Sequence, residues 1–427
     1  MRVLLVSTNR EQMPSPVVPL GVLCVAGAVR SRHTVEVFDL CFAEDPHAAL
    51  AQAIKRFAPD VVGLGLRNLH DNTYASEEPL LAYFEGLGGV VRETTAAPLV
   101  LGGAAVTLRP LALLERIGAN HAIIGEGEHA FLALVDKIER SQPAERIMHA
   151  GTAELPRVRD LDELPEPARD LVDPRYFALD ATDAVQTKRG CAFECTYCDY
   201  PDLEGSKVRL RSPARVADDI VARAQTPGVE FVFVVDSVFN VPRSHALAVC
   251  KELEQRGAPV PWVCYASPAS LDDDVVAAMA RAGCVGAEIG LDAGTPRMLS
   301  RLRKPFTIEQ ARRVRESLRR HGIADCQTLV LGAEDETVDE ALETLAFVDE
   351  LDPDVAVFVV FREDRERLKV GRARHRQQLI ELLSREAPKR PRWSVPELGI
   401  RFDPKINEVF RRRGLRGPSW LHLARRR

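Results

Sequence analysis

Apolar runs of strand length alternate with helical patterns along the first 140 residues. Five runs predict strands, at residues 3–6, 35–40, 61–66, 99–101 and 122–124. Helical periodicity fills the intervals, at residues 19–30, 48–57, 77–93 and 128–139. Repeated βα units of this kind predict an α/β fold with a parallel sheet covered on both faces. We therefore expect a doubly wound, flavodoxin-like domain at residues 1–140.

A second βα series follows a linker at residues 141–183, which is rich in proline and acidic residues. Its six predicted strands lie at residues 184–187, 231–235, 262–266, 286–291, 326–331 and 355–361. Helices are predicted at about 213–225, 243–256, 272–282, 308–321 and 336–350. Right-handed crossovers between these strands would curl residues 184–362 into a partial (β/α)6 barrel. Residues 363–427 are expected to form a small, mainly helical C-terminal region.

Polar residues and glycines follow the predicted strands, at positions where a core would be apolar. In the first domain they are Ser7, Thr8, Arg67, Asn68, Gly102, Gly103, Gly125, Glu126 and Gly127. In the barrel they include Asp236, Ser267, Glu288 and Asp292. Ligands bind beyond the carboxyl ends of parallel strands, and glycine there lets the backbone approach a large ligand. No G-x-G-x-x-G opens the first helix, so a dinucleotide is not favoured.

The composition is that of an ordinary globular protein, with 46% hydrophobic and 28% charged residues in 427. No apolar run reaches the length of about 18 residues that spans a bilayer, and the N-terminal run is too short for a signal peptide. A cytoplasmic protein with reduced thiols is therefore expected. Residues 362–427 carry 20 Lys and Arg against 8 Asp and Glu, a net charge of +12. Since the whole chain has a net charge of −5, the preceding residues carry −17. This balance favours an acidic or phosphorylated substrate, while neither a membrane nor nucleic acid is expected as a partner.

Three of the nine cysteines lie in the segment KRGCAFECTYCDYP, at Cys191, Cys195 and Cys198. A zinc site would need a fourth ligand, which Asp199 or Asp202 could supply. An iron–sulfur cluster can accept three protein thiolates and keep one iron open for another ligand. The C-x3-C-x2-C spacing by itself leaves both kinds of metal centre open.

The segment RGCAFECTYC resembles the signature of radical S-adenosylmethionine (SAM) enzymes, including the aromatic Tyr197 before the last cysteine. The segments VVDSVFN, EIGLDAGT and LVLGAEDET, at 234–240, 288–295 and 329–337, resemble later motifs of that family in the same order. The resemblance implies a 4Fe–4S cluster on Cys191, Cys195 and Cys198, with SAM on its open iron. The SAM contacts that it implies are Tyr197, Asp236, Ser267, Glu288, Asp292 and Gly332.

Residues 1–140 resemble the cobalamin-binding domain that precedes the radical SAM domain in one large subfamily. The matching features are PLGVLCVAGAVR at 19–30, the Gly102-Gly103 pair and the GEGE segment at 125–128. The resemblance implies cobalamin contacts at Ser7, Thr8, Arg67, Asn68, Gly102, Gly103, Gly125, Glu126 and Gly127. The loop STNREQMPSP lacks the cobalt-ligating histidine of the D-x-H-x-x-G motif, and a near-match at Asp45-Pro46-His47 lacks its glycine. Arg67 is similar to an arginine that lies beneath the cobalt without ligating it.

Together these resemblances imply a cobalamin-dependent radical SAM methyltransferase. It would move a methyl group from SAM, through methylcobalamin, to a carbon of a small-molecule or peptide biosynthetic intermediate. A flavodoxin or ferredoxin type of protein would supply electrons. Two alternatives stay open: a cyclase or rearrangement enzyme with the same cofactors, and a corrinoid and iron–sulfur binding protein or sensor. No residue is assigned to acid–base catalysis.

Overall fold

The computed structural model describes residues 1–69, 78–152, 155, 157–361 and 370–424. Its first unit is a sheet of six parallel strands in the order β2-β1-β3-β4-β5-β6. The strands are β1 (Arg2–Ser7), β2 (Thr34–Asp39), β3 (Val61–Gly65), β4 (Leu99–Gly102), β5 (His121–Ile124) and β6 (Ile147–His149). This order confirms the flavodoxin-like, doubly wound fold, and the strand order reverses between β1 and β3.

Helices cover both faces of this sheet, which explains why its strands are apolar throughout. They are α1 (Leu20–Val29), α2 (Pro46–Phe57), α3 (Glu78–Thr94), α4 (Ala104–Leu108), α5 (Pro110–Ile117) and α6 (Gly127–Glu139). Val3 and Leu5 of β1 pack with α1 and α6, whereas Leu4 and Val6 pack with α2, α3 and α5. Asp45 caps α2 by accepting from the backbone N–H groups of His47 and Ala48, so this near-match is a helix cap.

The segment predicted as a linker adds a strand to the first sheet, because β6 lies within residues 141–183. It continues with 3-10 turns at Leu161–Glu163 and Arg169–Leu171 and with α7 (Arg175–Asp180). A Cβ on Gly27 of α1 would lie 2.2 Å from the carbonyl oxygen of Glu166, so this glycine lets the segment pack directly on the helix. The boundaries proposed between the domains stay predictions.

The second unit is a parallel sheet of seven strands in which neighbours in space follow one another in sequence. In spatial order they are β7 (Thr182–Val185), β10 (Phe231–Val234), β11 (Trp262–Ala266), β12 (Cys284–Asp292), β13 (Ala324–Leu331), β14 (Val355–Val360) and β15 (Trp393–Ser394). The six predicted strands are present, and β15 comes from the C-terminal region. A separate pair, β8 (Lys188–Arg189) and β9 (Arg209–Leu210), is antiparallel.

The helices of the second unit pack mainly on one face of its sheet, and the other face lines a lumen. They are α8 (Tyr200–Glu204), α9 (Pro213–Ala224), α10 (Arg243–Gln255), α11 (Asp273–Arg281), α12 (Pro296–Arg301), α13 (Ile308–Arg320), α14 (Val338–Leu351), α15 (Val370–Glu386), α16 (Pro404–Arg412) and α17 (Ser419–Ala424). Short 3-10 turns lie at Ala387–Lys389 and Pro396–Leu398. α17 packs on β13 and β14, and a Cβ on Gly286 would meet the ring of Trp420 at 2.6 Å. The last helix therefore fills part of the lumen. Across the described part of the chain, the helices are too short or too polar to cross a membrane.

Candidate active site

The three-cysteine segment forms a loop whose base is closed by the pairing of β8 with β9. The N–H of Cys191 donates to the carbonyl of Gly205 at 3.1 Å, and the N–H of Cys198 donates to that of Cys195 at 3.2 Å. Cys191 is buried, while Cys195 and Cys198 are half-buried. The loop backbone is thus fixed by its own hydrogen bonds, and its thiols are free of disulfides.

The spacing of the sulfurs bears on which metal centre the loop can hold. Within the described chain, Cys191, Cys195 and Cys198 do not form a group whose ligand atoms all lie within 4.8 Å of one another. At least one sulfur pair is therefore wider than this, whereas two thiolates on one tetrahedral zinc lie about 3.8 Å apart. A cubane cluster spreads its thiolates over separate corners, so the loop fits a 4Fe–4S cluster better than zinc.

A buried lysine that sequence analysis did not single out lies beside this loop. Lys304 has a side chain only 6% exposed and forms an ion pair with Asp292. The hydroxyl of Tyr197 donates to the same carboxylate at 2.5 Å. Burial raises the pKa of the Cys195 thiol, and the charge of Lys304 opposes that shift. A cation here stabilises the thiolate form that binds iron. No motif marks Lys304, because its role depends on the fold.

Gly190, directly before the first cysteine, provides a test of the loop's geometry. It has φ +91°, and a Cβ would lie 2.4 Å from the carbonyl oxygen of Lys207. We expect Gly190→Ala to lower the free energy of unfolding by more than about 1 kcal/mol and to reduce bound iron after reconstitution, because both strain and overlap oppose it. Gly89→Ala is the control, since a Cβ there meets open space within α3 and should stabilise the helix by about 0.5–1 kcal/mol. Equal iron contents in the two variants would contradict the prediction.

The predicted cobalamin contacts come together at the carboxyl edge of the first sheet. Leu66 donates its N–H to the carbonyl of Gly102 at 2.8 Å, which joins the loops after β3 and β4. A Cβ on Gly102 would meet no atom within 4 Å, whereas one on Gly103, at φ +101°, would lie 2.4 Å from the carbonyl oxygen of Leu66. Arg67 is exposed and Asn68 is half-buried at the same edge. Residues 70–77, which include His70, lie outside the described residues. The open surface at Gly102 can accept a large flat ligand.

The remaining predicted cobalamin residues lie at the same edge but differ in what their side chains do. Gly125 and Gly127 flank Glu126 at the start of α6, and the N–H of Gly125 donates to the hydroxyl of Thr107 at 2.9 Å. Ser7 is buried. The hydroxyl of Thr8 donates to the carbonyl of Gly65 at 2.9 Å, so this side chain joins the ends of β1 and β3. Their roles as cobalamin contacts stay predictions.

Two buried ion pairs join this edge to the cluster loop. Arg189, two residues before Cys191, donates to Glu128 at 2.5 Å, and Arg209 forms an ion pair with Glu126. These four side chains are between 5% and 12% exposed. Burial alone would raise the pKa of Glu128, but the guanidinium of Arg189 outweighs it and holds this pKa below its usual range. The GEGE segment and the base of the cluster loop are therefore locked together electrostatically.

Helices also bring the two loops face to face. α4, which begins next to Gly103, packs against α8, which begins two residues after Cys198. Burial raises the pKa of Tyr200 in α8 to about 12, and the charge of Arg67 opposes the shift. Arg67 therefore lies within electrostatic reach of the segment that follows the cluster cysteines.

Two of the predicted SAM contacts use their polar atoms within the protein. Asp236 is buried and accepts hydrogen bonds from the backbone N–H and the hydroxyl of Thr187, at 2.7 and 2.5 Å. Ser267 is buried, and its backbone is held by both amide atoms of Asn240, at 3.0 Å each. These contacts fix the ends of the strands around the lumen, and direct binding of SAM by Asp236 and Ser267 stays a prediction.

Glu336 is a second residue that sequence analysis left out of the predicted site. Its Oε2 accepts the N–H of Gly332 at 2.5 Å, and Gly332 has φ +87°. Its Oε1 is buried without a hydrogen-bond partner among the described residues. Burial raises the pKa of Glu336 to about 7. A buried acceptor left unpaired is costly unless a ligand supplies the donor, so this atom fits a SAM site beside Gly332. The sequence signal was present, since Glu336 lies within the segment that resembles a SAM-contacting motif.

Glu288 lies deeper than the other predicted SAM contacts, four residues before Asp292 at the carboxyl end of β12. Its Oε1 accepts the indole N–H of Trp420 at 2.9 Å. Among the aromatic side chains of this sheet, Tyr265 is 38% exposed, whereas Trp262 and Trp393 are buried core residues.

The fold and these two facing loops define a two-domain α/β enzyme with an iron–sulfur loop opposite a ligand-binding sheet edge. Comparison with protein families agrees with this assignment. Residues 7–135 match the B12 binding domain, and residues 185–348 match the radical SAM superfamily.

Several relatives align with most of the chain. An uncharacterized methyltransferase from Pyrococcus horikoshii is 26% identical over 378 residues, covering 84% of this chain and 80% of that protein. Tryptophan 2-C-methyltransferase from Streptomyces laurentii is 24% identical over 426 residues, covering 82% and 71%. The structure of the radical SAM methyltransferase TsrM from Kitasatospora setae, with cobalamin and a [4Fe–4S] cluster bound, superposes with a TM-score of 0.74 at 25% identity. It covers 84% of this chain and 72% of that one.

The chain belongs to the cobalamin-dependent radical SAM enzymes. Its cofactors are a 4Fe–4S cluster, SAM and cobalamin, as the sequence predicted. The zinc alternative and the purely corrinoid-binding alternative do not account for a radical SAM domain that carries a three-cysteine loop.

Proposed function

We propose that this enzyme transfers the methyl group of SAM to a carbon atom of a small-molecule biosynthetic intermediate. One observation carries the proposal: the cobalamin-facing edge of the first sheet meets the cluster loop, through α4 against α8 and through the Arg189–Glu128 pair. A carrier or sensor needs no such juxtaposition, whereas methyl transfer needs the cofactors to share one substrate. We further propose a cytoplasmic enzyme that receives electrons from a flavodoxin or ferredoxin type of protein.

Each part of the chain has a separate task in this reaction. Cobalamin, SAM and the cluster, when bound, supply the methyl-transfer and electron-transfer chemistry. Cys191, Cys195 and Cys198 would hold the cluster and leave its fourth iron to SAM. Glu336 would accept a hydrogen bond from SAM through its unpaired Oε1. The protein therefore acts by holding its ligands in register and by keeping water from the lumen.

Labelled SAM tests the function directly. The holoenzyme, reconstituted anaerobically and reduced, would be supplied with SAM carrying a labelled methyl group and with tryptophan, the substrate in a second TsrM structure, as a first probe. Labelled methyl in a product, with S-adenosylhomocysteine in equal amount, supports methyl transfer. One 5'-deoxyadenosine for each product would indicate a radical route, and none would indicate a polar one. A rearranged product with 5'-deoxyadenosine and no labelled methyl would overturn the proposal.

Arg67 is predicted to lie beneath the cobalt without ligating it. A cation there discourages a lower ligand and stabilises electron-rich cobalt. We expect Arg67→Leu to bind cobalamin in normal amount but to lower methyl transfer about 10- to 100-fold, a range typical of lost ligand-tuning contacts. If Arg67 lies beside the cobalt, the electron paramagnetic resonance spectrum of bound cob(II)alamin should also differ from that of the original protein.

Arg67→Lys keeps the charge and is the matched control for this variant. It should retain most of the activity and the spectrum of the original protein. If the leucine and lysine variants gave the same spectrum as the original protein, Arg67 would not lie near the cobalt.

A further inference from the structure

We propose that Glu288 contacts the substrate at the floor of the barrel lumen, where it selects a molecule with an ammonium or N–H group beside an aromatic ring. The inference rests on the proposed function, because it concerns the substrate of the same lumen. It differs from the SAM contact that the family resemblance implies for this residue.

Strand geometry directs Glu288 into the lumen. Its neighbours Ala287 and Ile289 lie in the core between the sheet and the helices, and side chains alternate along a strand. Glu288 therefore faces the opposite, concave side. Asp292 is at the carboxyl end of the same strand, roughly 13 Å away at about 3.3 Å per residue. Glu288 thus lies well below the rim at which the cluster loop sits.

The neighbours of Glu288 form a pocket wall of mixed aromatic and polar character. In the sheet register it lies opposite Tyr265 of β11 and Cys326 of β13. The Tyr265 ring lies 4.9 Å from the Phe233 ring, centroid to centroid, and is partly exposed. Trp420 reaches the carboxylate from the last helix of the chain. Three aromatic rings and one carboxylate therefore surround the same part of the lumen.

The carboxylate is incompletely satisfied. Oε1 accepts from Trp420, and the half-buried side chain leaves the carboxylate open to a ligand in the lumen. Desolvation raises the pKa of Glu288 to about 7, and the Trp420 hydrogen bond opposes this shift. A partly desolvated carboxylate with one neutral donor still carries a desolvation cost. A ligand that brings a positive charge or an N–H donor to Oε2 would remove that cost.

Aromatic faces add to this selectivity, since they attract cations and pack against rings. An anionic group would instead be repelled by the ionised carboxylate. The chemistry of this floor thus fits an aromatic or heteroaromatic amine better than a carboxylic acid of the same size.

Two probes of matched skeleton test the inference without turnover. Phenethylamine carries an ammonium group and 3-phenylpropionate carries a carboxylate. Calorimetry on the SAM- and cobalamin-loaded holoenzyme should show that phenethylamine binds at least about 10-fold more tightly. Glu288→Gln should weaken phenethylamine binding at least about 10-fold and leave 3-phenylpropionate binding unchanged or improved. Glu343→Gln, on the exposed face of α14, is the control and should change neither.

Trp420→Phe provides a second variant that keeps an aromatic ring, although a smaller one, and removes the N–H donor to Glu288. It should weaken phenethylamine binding at pH 7 less than Glu288→Gln does. Equal affinity of original protein and Glu288→Gln for phenethylamine would overturn the inference, as would a preference for 3-phenylpropionate. The calorimetry measures binding and not turnover. If the labelled-SAM assay gave no labelled product, methyl transfer would be contradicted, but the calorimetry would still test the role of Glu288.

Discussion

Cys195→Ala should lose bound iron after anaerobic reconstitution and lose SAM turnover by more than about 100-fold. Removal of a contact that only orients a metal ligand typically lowers metal affinity or activity about 10- to 100-fold, and this variant removes a ligand itself. The hydrogen bonds that close the loop, such as those of the Cys191 N–H to Gly205 and of the Gly190 N–H to Glu204, cannot replace a missing thiolate ligand. Cobalamin binding should be unchanged, because its predicted contacts lie on the other sheet. Iron and cobalamin contents, measured on the same sample, check both halves of the prediction.

Cys24→Ser is the matched control for that variant. Cys24 is a free, half-buried cysteine in α1, outside the cluster loop. It should keep its iron and its SAM turnover. If Cys195→Ala kept its cluster, or if Cys24→Ser lost it, the assignment of the three thiols to the metal centre would be wrong.

Glu128→Ala should lower the free energy of unfolding by about 3 kcal/mol and reduce methyl transfer more than cobalamin binding. Removing one partner of a buried ion pair leaves an uncompensated charge and typically costs about 3–5 kcal/mol. The lower end is expected because Arg189 also lies 3.8 Å from Glu126. Since this pair joins the cobalamin-facing loop to the base of the cluster loop, its loss should disturb their alignment. Denaturant unfolding and product formation under saturating cofactors measure the two effects.

The pH dependence of the same pair has a definite sign. The pKa of Glu128 is lower in the folded protein than in the unfolded chain. Its contribution to stability is therefore present above the ordinary carboxyl pKa of about 4.3, and it is lost as the pH falls through the folded value. The original protein should lose stability on acidification more steeply than Glu128→Ala.

The exposed ion pair of Arg30 with Asp170 provides the control. It spans 2.6 Å between α1 and the segment joining the two sheets, but its side chains are 46% and 59% exposed. Asp170→Ala should cost less than about 1 kcal/mol. Equal destabilisation by Glu128→Ala and Asp170→Ala would show that burial does not set the strength of these contacts.

Most of the fold was predictable from the order of strands and helices. All eleven predicted strands exist. Strands that are covered by helices on one or both faces have a regular pattern of apolar residues, which the sequence shows directly. The four strands that were missed, β6, β8, β9 and β15, have two or three residues each. Such short strands carry no periodicity: β6 and β15 add to the edge of a sheet, and β8 pairs with β9 across the cluster loop.

The candidate site was predictable in its chemistry more than in its contacts. The cysteine spacing left two kinds of metal centre open, and the resemblance of the cysteine and glycine segments to family motifs implied the cofactors. Asp236 illustrates the limit: the carboxylate chosen as a SAM contact accepts hydrogen bonds from Thr187, 49 positions away. A buried carboxylate oxygen without a hydrogen-bond partner among the described residues belongs instead to Glu336. Whether an acidic residue binds the ligand or holds a strand end is decided by its neighbours in the fold. Those neighbours are distant in sequence, so a local pattern does not predict them.

The sequence by itself determined the two βα domains and the three-thiol loop, because each depends on residues close together in the chain, and its resemblance to known families implied the pairing of cobalamin with SAM. Only the tertiary structure decided how these parts face one another. Glu128 meets Arg189 across 61 positions, and Glu288 meets Trp420 across 132. Such contacts arise from the packing of whole domains and of a terminal helix, and the energy of a buried charge then depends on which distant partner the fold supplies.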